Sequence, residues 1–163
     1  MKEIWELVRE SGEPSGIYYD RHSGEPIPDG LYFKVVEVFV RAGDRLLLTQ
    51  RHPDKWQGLK WEASGGGVIA GERDSESAVR ELCEETGISA SEEELIYLGR
   101  YIHLPAMVES FLLCLDGEPE LSLQPTEVVG AKYVTKEALS GIGDQLTKDT
   151  EIRIERYLDR IFG

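Results

Sequence analysis

The sequence has few cysteines, few basic residues and no long apolar run. Two cysteines, Cys83 and Cys114, are too few for a disulfide framework or a zinc site. Each lies in an apolar pattern, so both are predicted to be buried free thiols. Lysine and arginine together number 18 against 31 acidic residues, which gives a net charge of −13. This balance argues against a nucleic-acid polymer or an anionic membrane as partner, because both require a basic surface.

The sequence also lacks a stretch of about 18 apolar residues and a signal-peptide pattern at its start. We therefore expect a cytoplasmic protein. Apolar residues make up 40% and charged residues 30% of the 163 positions, as in an ordinary globular chain. This length predicts a single domain over residues 1–163, with residues 1–30 as an N-terminal hairpin and loop extension. No internal repeat or low-complexity segment is visible.

Alternation of apolar and polar residues predicts a mixed sheet with helices on both faces. Residues 3–9 and 16–20 are typical of a hairpin, and residues 31–40 of a central strand whose antiparallel partner is 45–50, after a tight turn at Gly43 and Asp44. Further strands are predicted at 59–63, 95–101, 108–115 and 131–134, with a glycine loop at 64–67. Thr135 is expected to cap a short helix, and residues 149–162 have the spacing of a closing helix with one buried face.

A helix is also predicted after residue 72, and its two faces differ sharply. At about 100° per residue, one arc holds Ala78, Leu82 and Thr86, together with Val79 and Cys83, and is the face expected to be buried. The other holds Glu81, Glu84 and Glu85. Like charges at i and i+4 near a helix C-terminus are unfavourable, and a divalent cation would relieve the repulsion. Oxygen-only ligands suit Mg²⁺ or Mn²⁺. A solvated acidic helix face is the alternative.

The glycines before this helix let backbone approach a ligand closely. From Gly66 to Ile88 the spacing is Gly, five residues, Glu72, seven residues, then Arg80 and the string ELCEETGI. This segment resembles the Nudix box, G-x5-E-x7-R-E-U-x-E-E-x-G-U with U aliphatic, at every specified position. The resemblance implies an α/β/α sandwich with a mixed β-sheet. It also implies a metal-dependent pyrophosphohydrolase, in which water attacks phosphorus in a diphosphate-linked, nucleotide-type small molecule.

The resemblance also implies roles for individual residues. Glu84 and Glu85 are similar to the principal Mg²⁺ or Mn²⁺ ligands of the family. Glu81 is similar to a further ligand or to the base that activates water. Arg80 would orient a carboxylate, and the Gly66 carbonyl would complete the metal shell.

Three more residues are candidates with less defined roles. Glu72 is similar to an auxiliary metal ligand in some relatives and to a helix anchor in others. Arg51 follows a buried-looking strand, where its guanidinium would bind a substrate phosphate, although a surface arginine has the same pattern. Glu127, in a late loop, would be a ligand, the base or a substrate contact, and an exposed loop glutamate is the alternative.

The layout before the box is similar to a bacterial Nudix group that also resembles isopentenyl-diphosphate isomerase. An isomerase of that kind would need a catalytic cysteine before the box and histidine ligands near the first core strand. Residues 61–64 contain no cysteine, and the histidine ligands are missing near Tyr32 and Phe33. A non-catalytic, nucleotide-sensing domain is the other alternative. A homodimer is expected by analogy alone. The loops at 26–30, 51–58 and 103–109 would select the substrate, and their sequences do not reveal which one.

Overall fold

The computed structural model describes residues 2–163. Its strands are β1 (Ile4–Val8), β2 (Pro14–Asp20), β3 (Phe33–Ala42), β4 (Arg45–Arg51), β5 (Trp61–Glu62), β6 (Ser64–Gly67), β7 (Ile96–His103), β8 (Ala106–Leu115) and β9 (Val128–Thr135). Its α-helices are α1 (Asp74–Thr86), α2 (Lys136–Leu139) and α3 (Lys148–Phe162), and single 3₁₀ turns cover Glu92–Glu94 and Gly143–Gln145.

The main sheet is mixed and has β3 at its centre. Its path runs β5-β4-β3-β8-β7, with β6 beside β3 and β9 beside β4. β3 and β8 are parallel along their whole length, from Phe33 opposite Ala106 to Ala42 opposite Leu115. The predicted antiparallel pairing of β3 with β4 is confirmed next to their turn, at Arg41 and Ala42. Beyond the turn the two strands separate, because β6 takes the place beside β3 and β5 and β9 pair with β4.

Alternating side chains of the sheet contribute to two apolar cores, one on each face of the sheet. On one face Val36, Val38 and Val40 of β3 pack with Ala78 and Leu82 of α1. On the opposite face Phe39 packs with residues of α3, among them Ile154, Tyr157 and Ile161. The period of two in the strands and of 3.6 in the helices produces this arrangement. The predicted α/β/α sandwich is confirmed.

The segment 64–67, predicted as a loop, is instead strand β6. Gly65, Gly66 and Gly67 pair antiparallel with Glu37, Val36 and Val35 of β3. A Cβ atom on Gly65 would lie 2.1 Å from the Val36 carbonyl oxygen, so glycine allows the strand to come this close. The preceding strand is shorter than predicted: β5 covers Trp61–Glu62, and Leu59 has a positive φ of 66° in the turn before it.

Cys114 is exposed, and the prediction that its thiol is buried was wrong. It lies next to the last residue of β8, opposite Arg41. The Arg41 guanidinium donates to the carbonyl of Ile161 near the end of α3, so the packed face ends here. The apolar run around Cys114 therefore extends beyond the core that it predicts.

The N-terminal hairpin is confirmed as β1 and β2, paired antiparallel from Ile4 opposite Asp20 to Val8 opposite Pro14. The closing helix and the cap of α2 are also confirmed, since the Thr135 side chain accepts a hydrogen bond from the Ala138 amide. Within residues 2–163, no helix is both long and apolar enough to cross a membrane.

Candidate active site

A cavity of about 320 Å³ lies between α1, β6 and the N-terminal hairpin. Its floor contains the side chains of Glu81, Glu84 and Glu85 and the backbone of β6, including Gly66. Three of the acidic candidates and the candidate backbone ligand are thus brought together at one place. Glu127 also lines this cavity, from the loop before β9.

Helix α1 is held at both ends. At its start the Arg73 amide donates to the Glu76 carboxylate at 2.7 Å, and acidic residues in this first turn favour the positive end of the helix dipole. At its end Gly87 has a φ of 78°, and its amide donates to the Cys83 carbonyl at 2.9 Å, which is typical of a glycine that ends a helix. The carboxylates are therefore presented from a helix with fixed ends.

The buried face of α1 is rotated from the predicted one. Glu85 is 5% exposed, whereas Val79 is half-buried and Cys83 is exposed. The prediction that Cys83 is a buried thiol was wrong. The glycine strand β6 explains this rotation. It has no side chains at positions 65–67, so the face of α1 that carries Glu81 and Glu85 can pack against it.

Gly66 and Glu81 are in direct contact. A Cβ atom at Gly66 would lie 2.3 Å from the Glu81 Cδ and 2.5 Å from both of its carboxylate oxygens. The backbone of the neighbouring Gly65 acts to lower the pKa of Glu85, against the larger effect of burial. The glycines therefore form a cradle in which two carboxylates lie directly on backbone.

Arg80 connects the carboxylates. Its Nε and Nη2 donate to the two oxygens of Glu72 at 2.8 and 3.0 Å, and its Nη1 donates to Glu81 at 2.7 Å. The contact with Glu84 is longer, at 3.4 Å, and the Glu84 side chain is the more exposed of the two. Nη2 also donates to the Gly67 carbonyl at 3.2 Å. Such a network fixes the direction of the Glu81 carboxylate.

Glu72 lies on the far side of Arg80 from the cavity floor. Besides Arg80 it accepts a hydrogen bond from the Ser77 hydroxyl. Burial raises the pKa of Glu72, but the hydrogen bonds from Arg80 and Ser77 outweigh this and hold it below the usual value. With both oxygens engaged, Glu72 has the geometry of the helix anchor, the second of the two roles that the resemblance implies.

The floor of the cavity carries excess negative charge. Burial, together with the nearby carboxylates of Glu62 and Glu81, raises the pKa of Glu85 to about 8. Burial also raises the pKa of Glu81; Arg80 opposes this rise and Glu84 adds to it. Lys55 acts in the opposite direction on Glu85, since its positive charge favours the carboxylate. A buried group of carboxylates with raised pKa values is a typical feature of functional sites.

The carboxylate oxygens on the floor of the cavity are chemically suited to bind a hard divalent cation. They crowd on one floor, and burial together with neighbouring carboxylates raises the pKa values of Glu81 and Glu85. Within residues 2–163, no three acidic, histidine or cysteine side chains already converge as a closed metal site. Arg80 is ion-paired with both the Glu81 and the Glu84 carboxylate. Metal ligation would require Glu84, held by the longest contact, to turn from Arg80.

Arg51 lies outside the lining of this cavity. Its Nη1 donates to both oxygens of Glu62 at 2.9 Å, and its Nε donates to the Trp56 carbonyl at 2.8 Å. Glu62 in turn influences the pKa of Glu85. Arg51 is therefore connected to the floor through Glu62, and its guanidinium already has protein partners.

Glu127 is paired with Lys55, whose ammonium donates to its carboxylate. Lys55 comes from the loop at 51–58, so that loop and the loop before β9 close one wall of the cavity together.

Several cavity residues have no signal in the sequence. Lys2, Glu3 and Arg21 come from the N-terminal hairpin, and Gln124 precedes β9. Glu62, which influences the pKa of Glu85 without lining the cavity, lies in the short strand β5 and has no signal either. A charged residue in a turn looks like any solvated residue until the fold brings it to the site. For Lys55, the position in a polar loop before the box was the one available indication.

The fold and the cavity define an α/β/α domain with a carboxylate-floored, enzyme-type pocket. Residues 31–158 match the family described as the NUDIX domain. The chain belongs to this family, which confirms the resemblance of the box, and similar proteins are named Nudix hydrolases.

Two curated relatives and one solved structure illustrate the similarity. Nudix hydrolase 3 of Arabidopsis thaliana is 34% identical over 154 residues, which is 83% of this chain and 20% of the plant protein. The chain thus spans about a fifth of that relative. An uncharacterised Nudix hydrolase of Listeria monocytogenes is 30% identical over 145 residues, covering 86% of this chain and 84% of the relative. A crystal structure from Deinococcus radiodurans superposes with a TM-score of 0.78 at 22% identity, covering 94% of this chain and 98% of that one. This last likeness concerns the fold.

Proposed function

We propose that this protein is a divalent-metal-dependent hydrolase that cleaves the diphosphate linkage of a nucleoside-diphosphate-type small molecule, by attack of water on phosphorus. The observation that carries the proposal is the cavity itself. Glu81, Glu84 and Glu85 form its floor, while Arg21 and Lys55 stand on its walls. An acidic floor alone would repel a diphosphate, so a bound cation between floor and substrate is required for the two to meet.

Glu81, Glu84 and Glu85, with the Gly66 carbonyl, would hold Mg²⁺ or Mn²⁺. When bound, the metal supplies charge stabilisation to phosphate oxygens and lowers the pKa of a water molecule. Arg80 positions Glu81 through its Nη1 contact and is itself held by Glu72.

Two residues are candidates for the base that takes the proton from water. Glu81 lies on the floor, where burial raises the pKa of its carboxyl group. Glu127 lies on the wall and is engaged by Lys55, so it would first have to leave that ion pair. Glu81 is likewise engaged by Arg80, so both carboxylates stay candidates for the base.

The substrate is proposed to be a small molecule. The net charge of −13 disfavours a nucleic-acid polymer and an anionic membrane, whereas a small polyphosphate needs only local cations. The cytoplasmic location and the homodimer stay predictions. So does the single-domain organisation over residues 1–163.

The test is hydrolysis of a panel of compounds with and without Mg²⁺ or Mn²⁺. The panel contains ADP-ribose, nucleoside triphosphates, nucleotide sugars, dinucleoside polyphosphates and isopentenyl diphosphate. Metal-dependent turnover of one class is expected. Tight metal-dependent binding without turnover would favour the nucleotide-sensing alternative, and rearrangement of isopentenyl diphosphate would favour the isomerase.

The Glu84→Gln variant tests, in the same assay, whether this cavity is the active site. We expect kcat to fall by about 100-fold or more, because a metal ligand is lost. The melting temperature should stay unchanged, because the side chain is exposed. Glu155→Gln, an exposed carboxylate on α3, is the matched control and should keep full activity. Full activity of Glu84→Gln would refute its assignment as a ligand.

A further inference from the structure

The N-terminal hairpin is built into the wall of the cavity. The Ala70 amide, just after β6, donates to the Ile4 carbonyl at 2.8 Å. The Trp5 ring stacks on Phe33 of β3 at 4.5 Å, and a Cβ atom at Gly67 would lie 2.7 Å from the Trp5 indole nitrogen. The hairpin is thus packed against the glycine strand, and the residues that it turns toward the cavity have defined positions.

Arg21, immediately after β2, is held at the cavity by Glu3 and Trp5. Its Nη1 donates to Glu3 Oε2 at 2.9 Å, and its amide donates to the Glu3 carbonyl at 3.0 Å. The other Glu3 oxygen accepts from the Trp5 indole at 2.9 Å, and the Arg21 guanidinium lies 5.7 Å from the Trp5 ring. These contacts reduce the entropy that an arginine loses when it binds an anion.

The other cations of the cavity differ from Arg21. Lys55 is paired with Glu127, and Arg80 is saturated by carboxylates. Within residues 2–163, no hydrogen bond or ion pair holds Lys2. In the same part of the chain, Glu3 is the one hydrogen-bond acceptor of the Arg21 guanidinium, whose side chain is 48% exposed. Arg21 therefore lines the cavity, has a fixed position and keeps free N–H donors.

We infer that Arg21 binds a phosphate group of the substrate at the mouth of the cavity, with Glu3 and Trp5 as positioning residues. A guanidinium offers two parallel N–H donors, which match two oxygens of one phosphate. The inference rests on the proposed function and extends it, because it assigns substrate recognition to a segment that lies before residues 31–158, the part that matches the family.

The probe is methylenediphosphonate, a diphosphate mimic that cannot be hydrolysed, titrated calorimetrically in the presence of Mg²⁺. Arg21→Gln should weaken its binding by about tenfold to 100-fold, because charge-assisted hydrogen bonds are lost. Arg45→Gln is the matched control, since Arg45 is similarly exposed and ion-paired, with Glu118, but lies outside the cavity lining. It should bind like wild type. Equal affinities of the two variants, or no binding by wild type, would overturn the inference.

Glu3→Gln separates recognition from hairpin structure. Glutamine keeps an amide oxygen that can still accept from Arg21 and so retains its position, while the competing charge is gone; if Arg21 acts on the ligand, binding should therefore be unchanged or stronger. A loss as large as that of Arg21→Gln would mean that the pair merely maintains the hairpin, and would overturn the inference. Arg21→Lys should retain part of the affinity, because the charge remains and the paired donors are lost.

Turnover distinguishes this inference from the proposed function. Arg21→Gln should raise KM for the panel substrate while kcat changes less, because the residue lies away from the floor. An unchanged KM in an active enzyme would refute the role of Arg21 and leave the hydrolase intact. If wild type hydrolyses nothing but Arg21 still controls diphosphonate binding, the proposed function fails and the anion site stands.

Discussion

Alanine substitutions at two adjacent glycines should separate catalysis from folding. At Gly66 the new Cβ would lie 2.3 Å from the Glu81 Cδ, at the far end of a flexible side chain. At Gly65 it would lie 2.1 Å from the Val36 carbonyl oxygen and 3.0 Å from the Glu37 Cα, which are backbone atoms of the central strand. Neither glycine has a positive φ, so alanine is compatible with both local conformations.

The two contacts predict opposite outcomes. For Gly66→Ala the Glu81 carboxylate must retreat by about 1 Å to reach van der Waals distance, and a displacement of that size costs about 100-fold in rate. A rotamer adjustment costs about 1 kcal/mol of stability. For Gly65→Ala the pairing of β6 with β3 must open, with a cost of about 3 kcal/mol. In a chain of this length that corresponds to a melting temperature lower by about 6 to 12 °C.

The assays are kcat on the substrate that the panel identifies and thermal unfolding followed by circular dichroism. Gly117→Ala is the control, because no atom lies within 4 Å of its Cβ position, and it should change neither quantity. A fully active Gly66→Ala enzyme would refute the role of the Glu81 carboxylate at this place. A Gly65→Ala protein of unchanged stability would refute the close pairing of β6 with β3.

Three further predictions concern stability and exposure. The buried Arg153 guanidinium donates to the buried Glu37, so Arg153→Met should cost about 3 to 5 kcal/mol in urea unfolding, because the Glu37 charge keeps only the Ser110 hydroxyl as partner; a loss below about 1 kcal/mol would contradict this. In EDTA, the free energy of unfolding should fall by up to about 4 kcal/mol between pH 5 and 8. The reason is that folded Glu85, with its pKa of about 8, keeps a proton that the unfolded chain releases near 4.5. Glu85→Gln should flatten this pH dependence, and a stability that rises with pH would refute the reasoning. Native protein should react with a thiol reagent at both Cys83 and Cys114, and one slow thiol would contradict the exposure.

Patterns that are local in sequence predicted most of the fold. Val36, Val38 and Val40 alternate with Phe39, and this is enough to give β3 two buried faces. The glycine strand could not be predicted in this way, because glycine contributes no hydrophobic signal and its pairing with β3 depends on close backbone approach. That same strand rotates the buried face of α1 toward Glu85, so the errors at Cys83 and at 64–67 have one cause.

The candidate site was predictable where it lies within one segment. Glu81, Glu84 and Glu85 follow from helical spacing and the box, and the structure brings them to one floor. Partners from distant segments are a different matter. Arg51 pairs with Glu62, and Glu127 pairs with Lys55. Neither pair could be predicted, because charged loop residues that form such pairs look the same in sequence as solvated ones.

The cavity therefore has two parts with different origins. Its floor comes from one continuous stretch, residues 65–85, in which helix geometry alone sets the spacing of the carboxylates. Its rim comes from residues 2–21, the loop at 51–58 and the loop before β9, which meet through tertiary packing. In the proposed function, chemistry at phosphorus depends on the floor, Arg21 of the rim binds a phosphate group, and the other rim residues contact what the substrate carries beyond its diphosphate. Changes in the rim should consequently alter which compound is bound without altering the reaction. For this reason the box indicates a class of reaction, whereas substrate selection is a property of rim residues such as Arg21 and Lys55.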